Sequence, residues 1–103
     1  MAAARHDLET TYINEWVETG VYELVVNTTV SAQMRRQGID LVDVNHVLRT
    51  GRVVRSDMIG RRGLWDVLGT TVEDISVGIR VAVVSSEYEV ELLQVVKVKR
   101  SRK

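Results

Sequence analysis

Cysteine is absent from the chain, and with it go disulfides, thiolate metal sites and cysteine-based catalysis. Histidine occurs only as His6 and His46, so a zinc enzyme is not expected. Proline is missing altogether, and neither an internal repeat nor a linker is visible. No apolar run approaches the roughly 20 residues that a membrane span needs. The opening MAAARHDLE has no apolar stretch and carries Asp7 and Glu9, which fits neither a secretory nor an organellar leader, and a cytoplasmic location is expected. Familiar catalytic signatures are missing too. There is no Gly-x-Gly-x-x-Gly, no phosphate loop ending in Gly-Lys-Ser/Thr, no Gly-x-Ser-x-Gly elbow and no His-x-x-x-His pair.

What is present is an ordinary globular composition: 45% apolar and 27% charged residues in 103, enough for one domain over 1–103. The 14 basic and 14 acidic side chains cancel, but they are unevenly spread. Residues 1–50 carry four arginines against seven acids, whereas 51–63 hold Arg52, Arg55, Arg61 and Arg62 against Asp57 alone. Residues 64–96 have Arg80 as their only base, and the tail 97–103 reads KVKRSRK. If folding brings both basic blocks to one face, they form an anion-binding surface despite the neutral total. If they lie apart, each is a solvated segment.

Leu8, Tyr12 and Trp16 recur every four residues within 6–19, which predicts a helix ended by Gly20 and, over 1–20, an accessory N-terminal element. Residues 21–27 read as a short strand or as a link into the next helix. A short helix over 31–37 ends at Gly38, and Asp40 then sits where an N-cap belongs, with Asp43 three residues on. Leu41, Val44 and Leu48 mark the apolar side of a third helix that stops at Gly51. From there the period changes. Residues 52–58, 64–70, 77–84 and 90–98 alternate or run apolar between short turns, as an antiparallel meander does. The expected class is therefore α+β, with N-terminal helices packed on a C-terminal antiparallel sheet of about four strands.

Asp40 and Asp43 suit a helix cap better than a metal. Glu87, Glu89 and Glu91 suit a solvated strand edge, although three carboxylates on one face can hold a cation. His46 is expected to face water. Trp16 and Trp65 lie on apolar faces and suit the core better than base stacking. Gln94 is the one polar side chain in the middle of an apolar strand; it either meets a buried partner or lines a groove. Lys97 and Lys99 project from the face of Leu93 and Val95, Arg55 lies on the first strand of the meander, and Arg61 and Arg62 stand at the hairpin tip beyond it. Phosphate contact through these cations, with Tyr88 for stacking or proton transfer, would suit RNA. RNA cleavage needs a 2′-hydroxyl deprotonated, phosphorane charge stabilised and a leaving oxygen protonated, which Arg, Lys and Tyr can do without metal or cofactor.

Met34, Gly38-Ile39, Val44, Leu48, Gly51 and Trp65-x-Val67-x-Gly69 together resemble a small bacterial domain family of unknown function, placed near toxins of the RelE/ParE type and BrnT-like toxins. Its pattern runs approximately His-Ala-x-x-Arg-Met-x-x-Arg-Gly-Ile, and the match spans about 29–98. Here Thr29-Val30 replace His-Ala, while Gln33 and Gln37 replace the two arginines, so the ionisable positions are neutral. The resemblance implies a RelE-like two-layer fold and a partner antitoxin. Joined to the basic residues, it gives two expectations. One is a toxin-like RNA-binding protein, an mRNA endoribonuclease with Tyr88, Gln94 and Arg55 as its catalytic set and Arg61, Arg62, Lys97, Lys99 and Arg100 on phosphate. The other is a non-catalytic protein-interaction module that keeps the toxin fold without the motif charges. No amphipathic helix or lipid signal adjoins the basic tail, so a membrane is not expected as a partner.

Overall fold

A computed structural model describes residues 6–98. Helix α1 covers Asp7–Thr19, strand β1 Glu23–Val26, α2 Thr28–Gln37 and α3 Leu41–Thr50; four strands follow, β2 Arg52–Ile59, β3 Arg62–Thr70, β4 Ser76–Val84 and β5 Glu89–Lys97. The class is α+β, with the helices first and most of the sheet after them. Local chemistry explains the helix ends. Gly38 stops α2 at φ +71°, a left-handed conformation that costs glycine nothing. Asn27 starts it, its Oδ1 accepting from the Val30 amide at 2.9 Å, so α2 begins three residues earlier than its apolar pattern suggests. Asp40 and Asp43 form a reciprocal capping box: each carboxylate accepts the other's backbone N–H, at 2.9 and 3.1 Å.

The sheet has five strands in the order β1-β5-β4-β3-β2, one more than expected. The addition is β1, from the segment that could have been a mere link, and it lies parallel to β5 while every other pair is antiparallel. Two irregularities reset the alternation. Val54 is the extra residue on β2, and Leu93 on β5, because Arg80 faces Gln94 while Val81 faces Leu92. Lys97 consequently keeps the face of Val95 but has no alternation in common with Leu93.

One face of the sheet carries the helices. Val67, Val77, Ile79, Val81, Val90, Leu92 and Val95 supply its side of the core, closed by Val30, Met34, Val44, Val47 and Leu48 from α2 and α3. The helix expected to be accessory belongs to this core, since Ile13 of α1 is 0% exposed and Trp16 is buried beside it. Polar contacts lock α1 in place. Asn14 Nδ2 donates to the carbonyls of Leu48 at 2.7 Å and Gly51 at 3.3 Å, satisfying the end of α3, and Thr10 Oγ1 accepts from the Val53 amide at 2.8 Å.

Gln33 and Gln37 have a structural task. β1 pairs with β5 only from Glu89 to Leu92, which leaves the rest of that edge without a neighbouring strand. Gln33 Oε1 accepts from the Val95 amide at 3.1 Å, Gln37 Nε2 donates to the Val95 carbonyl at 2.8 Å, and Gln37 Oε1 accepts from the Lys97 amide at 2.9 Å. Two helical side chains thus stand in for the missing stretch of strand. Gln37→Ala is expected to lower stability by about 1–3 kcal/mol, read from the urea midpoint. A change below experimental error would mean that water serves this edge equally well.

Candidate functional site

The other face of the sheet is open, and four of its strands place one polar side chain each in a lateral row. Arg55 on β2 faces Asp66 on β3, Asp66 faces Arg80 on β4, and Arg80 faces Gln94 on β5. Gln94 is exposed in this row, so it lines a shallow open surface and has no buried partner to satisfy. The guanidiniums here are engaged. Arg80 donates to both oxygens of Asp66, at 2.8 and 3.3 Å, and that hydrogen-bonded carboxylate holds Arg80 still more firmly protonated than an ordinary arginine. Arg55 Nε lies 3.4 Å from Asp57. Arg62 reaches over β4 to Glu91 at 2.6 Å. The strand between them contributes Ala82 at that level, small enough to be spanned and only 1% exposed beneath the pair. Glu91, expected on a solvated edge, is thus the partner of one of the candidate phosphate ligands.

The proposed catalytic set is not brought together. Tyr88 sits in a left-handed turn at φ +51° just before β5, and its ring centroid is 5.4 Å from that of Trp16, on the helix side. Gln94 lies six residues further along the strand, roughly 20 Å at about 3.3 Å per residue, and opens onto the other face. Arg55 and Gln94 share the row, separated by three strand spacings of about 4.8 Å. The basic blocks separate as well. Arg61 and Arg62 stand at the β2–β3 hairpin end, near Val83, whereas Lys97 pairs with Val77 at the opposite end and projects from the helix side. Lys99 and Arg100 lie outside the described residues.

At the hairpin end the aromatic residues gather. Tyr12 meets Trp16 edge-on at 4.9 Å and lies 6.3 Å from Trp65, and Trp16 continues to Tyr88. Both tryptophans are buried, as their apolar faces predict, while Tyr12 and Tyr88 remain half open to water. Leu8, on the same helix, is 84% exposed; on the adjoining hairpin Met58, opposite Gly63, is exposed on the sheet face of Trp65, while Ile59, opposite Arg62, is exposed on the open face. This is an apolar rim around an aromatic floor.

A further concavity of 630 Å³ lies on the helix side, between the end of α1, β1 and α3. Val17, Leu24, Val26, Leu41, Val42 and Val72 make its walls, with Tyr22, Asn45, His46 and Arg49 as its polar members. The Tyr22 hydroxyl donates to Asn45 Oδ1 at 2.7 Å, and burial holds that phenol above its ordinary pKa. His46 was expected to face water; it is half-buried here, with Arg49 Nη2 3.3 Å from its Nδ1. Sequence reasoning missed this group. The spacing of residues 45, 46 and 49 along one helix flank was the available signal, but Tyr22 and Val72 join it only through the fold.

Comparison with protein families, with curated proteins and with solved structures finds no match for this chain. Among the described residues, no helix is long and apolar enough to cross a membrane.

Proposed function

We propose that this protein is a non-catalytic interaction module, which docks a protein partner through the apolar rim at its hairpin end. The observation that carries this reading is that three of the four arginines on the open sheet face pair with acids: Arg55 with Asp57, Arg62 with Glu91 and Arg80 with Asp66, while Arg52, opposite Leu68, is the fourth. A face built this way has little net field with which to collect a polyanion. Tyr88, the candidate proton donor, contributes instead to the aromatic floor. Exposed Leu8, Tyr12, Met58 and Tyr88 supply the large apolar and aromatic contacts that partner proteins favour.

The second reading is the toxin-like RNA-binding protein, with an antitoxin as its partner. It is favoured by Arg52 at the start of β2, Arg61 at the hairpin tip and Lys97 at the end of β5, none of which makes an ion pair among the described residues. One experiment separates the two. Inducing the protein alone in bacteria is expected to leave growth and messenger RNA intact, and purified protein should not retain RNA at physiological salt. The triple substitution Asp57→Asn, Asp66→Asn, Glu91→Gln leaves the three arginines without acidic partners and is expected to create salt-sensitive RNA binding. Growth arrest with messenger loss, relieved by alanine at Arg55, Arg61 and Arg62, would reverse the order of the readings. Affinity capture then addresses the partner directly: a protein held by the wild type should be lost with Leu8→Ser/Tyr88→Ser and kept with the triple variant.

A further inference from the structure

We propose that the 630 Å³ groove between α1, β1 and α3 binds a small amphipathic carboxylate, with its head against Arg49 and His46 and its aliphatic body along the valine and leucine walls. This inference is independent of the reading above, since the groove and the hairpin rim are different surfaces. Its argument is that three of the four polar groups of the lining offer donors and that its one formal charge is positive. A guanidinium only donates, so the contact from Arg49 Nη2 makes His46 Nδ1 an acceptor and leaves the imidazole proton on Nε2. The Tyr22 hydroxyl is occupied in donating to Asn45 Oδ1, and the Asn45 amide nitrogen makes no hydrogen bond among the described residues. Asn45, His46 and Arg49 therefore all present N–H groups, and Arg49 is the one charged residue of the lining.

A ligand that satisfies three donors and one positive charge carries an anionic acceptor. The rest of it must be apolar. Val17, Leu24 and Val26 form the inner wall, and Leu41, Val42 and Val72 are exposed large aliphatic side chains, Val42 by 68%, that a hydrocarbon body would cover. The volume lies within the roughly 300–1,000 Å³ common for small-molecule sites. Glu18 is the nearest competitor for Arg49, but at 3.9 Å and with both side chains largely in water it holds the guanidinium weakly. A carboxylate head can also bind two guanidinium nitrogens at once, which phosphate-free aliphatic alcohols cannot.

The test uses octanoate, octan-1-ol and octylamine as probes, titrated into the isotopically labelled chain and followed by amide chemical shifts. Octanoate is expected to saturate, with the shifts centred on Tyr22, Asn45 and His46. The alcohol should bind at least about tenfold more weakly, because it forfeits the charge-assisted contacts, and the amine should not bind. Arg49→Met should weaken octanoate by a similar factor, and Val42→Glu, which sets a carboxylate on the wall that the hydrocarbon body would cover, should abolish binding. Both positions are exposed, so the variants' otherwise unchanged spectra will show that they fold. Absence of saturation by millimolar octanoate, equal binding of the alcohol, wild-type affinity in Arg49→Met, or shifts confined to the hairpin rim would each overturn the proposal.

Discussion

Trp16→Ala is expected to cost about 3–5 kcal/mol, a large share of the roughly 5–15 kcal/mol that holds a domain of this size folded. Trp16 is 6% exposed and sits at the centre of the aromatic cluster, edge-on to Tyr12 and tilted against Tyr88. Removing the indole empties a space that neither tyrosine can fill, since Tyr12 is fixed by its helix and Tyr88 by the turn whose carbonyl accepts from the Glu23 amide at 2.7 Å. The loss comprises the transfer free energy of the ring, the residual cavity and about 0.5–1.5 kcal/mol of ring–ring contact for each pair. Urea unfolding followed by the remaining tryptophan, Trp65, measures it. A loss below about 1 kcal/mol would mean that α1 is peripheral, contrary to the burial of Ile13. The same argument applies to removing residues 1–20. That deletion would expose the core surface beneath Ile13 and leave the Leu48 carbonyl without its donor from Asn14.

Gly51→Ala carries the second large effect, and its cause is different. The backbone of Gly51, at φ −80°, is open to any residue. Space is what forbids a side chain there: an added Cβ would lie 2.6 Å from the Val47 carbonyl oxygen and 2.7 Å from that of Leu68. Both neighbours are main chain, so neither can rotate away. α3 and β3 would have to separate, in a core where overpacking costs about 1–3 kcal/mol, and this site should fall at the upper end. Gly20→Ala is the control. Gly20 has open space around its Cβ position but lies at φ +72°, so it should lose only about 1–2 kcal/mol through backbone strain. If Gly51→Ala is the milder of the two, the close approach of α3 to β3 is not as the structure has it.

These effects bear on function because α1 supplies both stability and the apolar rim. Trp16 and Ile13 face inward, while Leu8 and Tyr12 of the same helix face out. Tests of partner contact therefore belong at the exposed Leu8 and Tyr88, with the stability of the Tyr88 variant measured alongside because its ring packs on Trp16, and not in deletions of the whole helix.

Much of the architecture was written locally. The four-residue recurrence of Leu8, Tyr12 and Trp16, the stops at Gly20 and Gly38 and the Asp40–Asp43 box all act within a turn or so of chain, and each could be read directly. So could the inward set Val77, Ile79, Val81 and Val83, because strand alternation depends only on neighbouring residues. Gln33 and Gln37 could not be read: as a sequence they are uncharged polar residues of a short helix, and only the end of β1 at Val26 creates the bare edge that they cap. Gln94 changed meaning for the same reason, since the bulge at Leu93 turns it to the open face beside Arg80.

Composition and periodicity alone determined an α+β chain with helices first, and located its turns, the Asp40 cap and most of its core, but not the Asn27 cap of α2. Tertiary structure alone decided that Arg62 and Arg80 meet carboxylates on other strands, that Tyr88 belongs to an aromatic cluster far from Gln94, and that Tyr22 and His46 share a groove. The physical reason is range. Helix periods and caps are satisfied within a few residues, whereas an ion pair such as Arg62–Glu91 depends on the register of strands 29 positions apart in the chain.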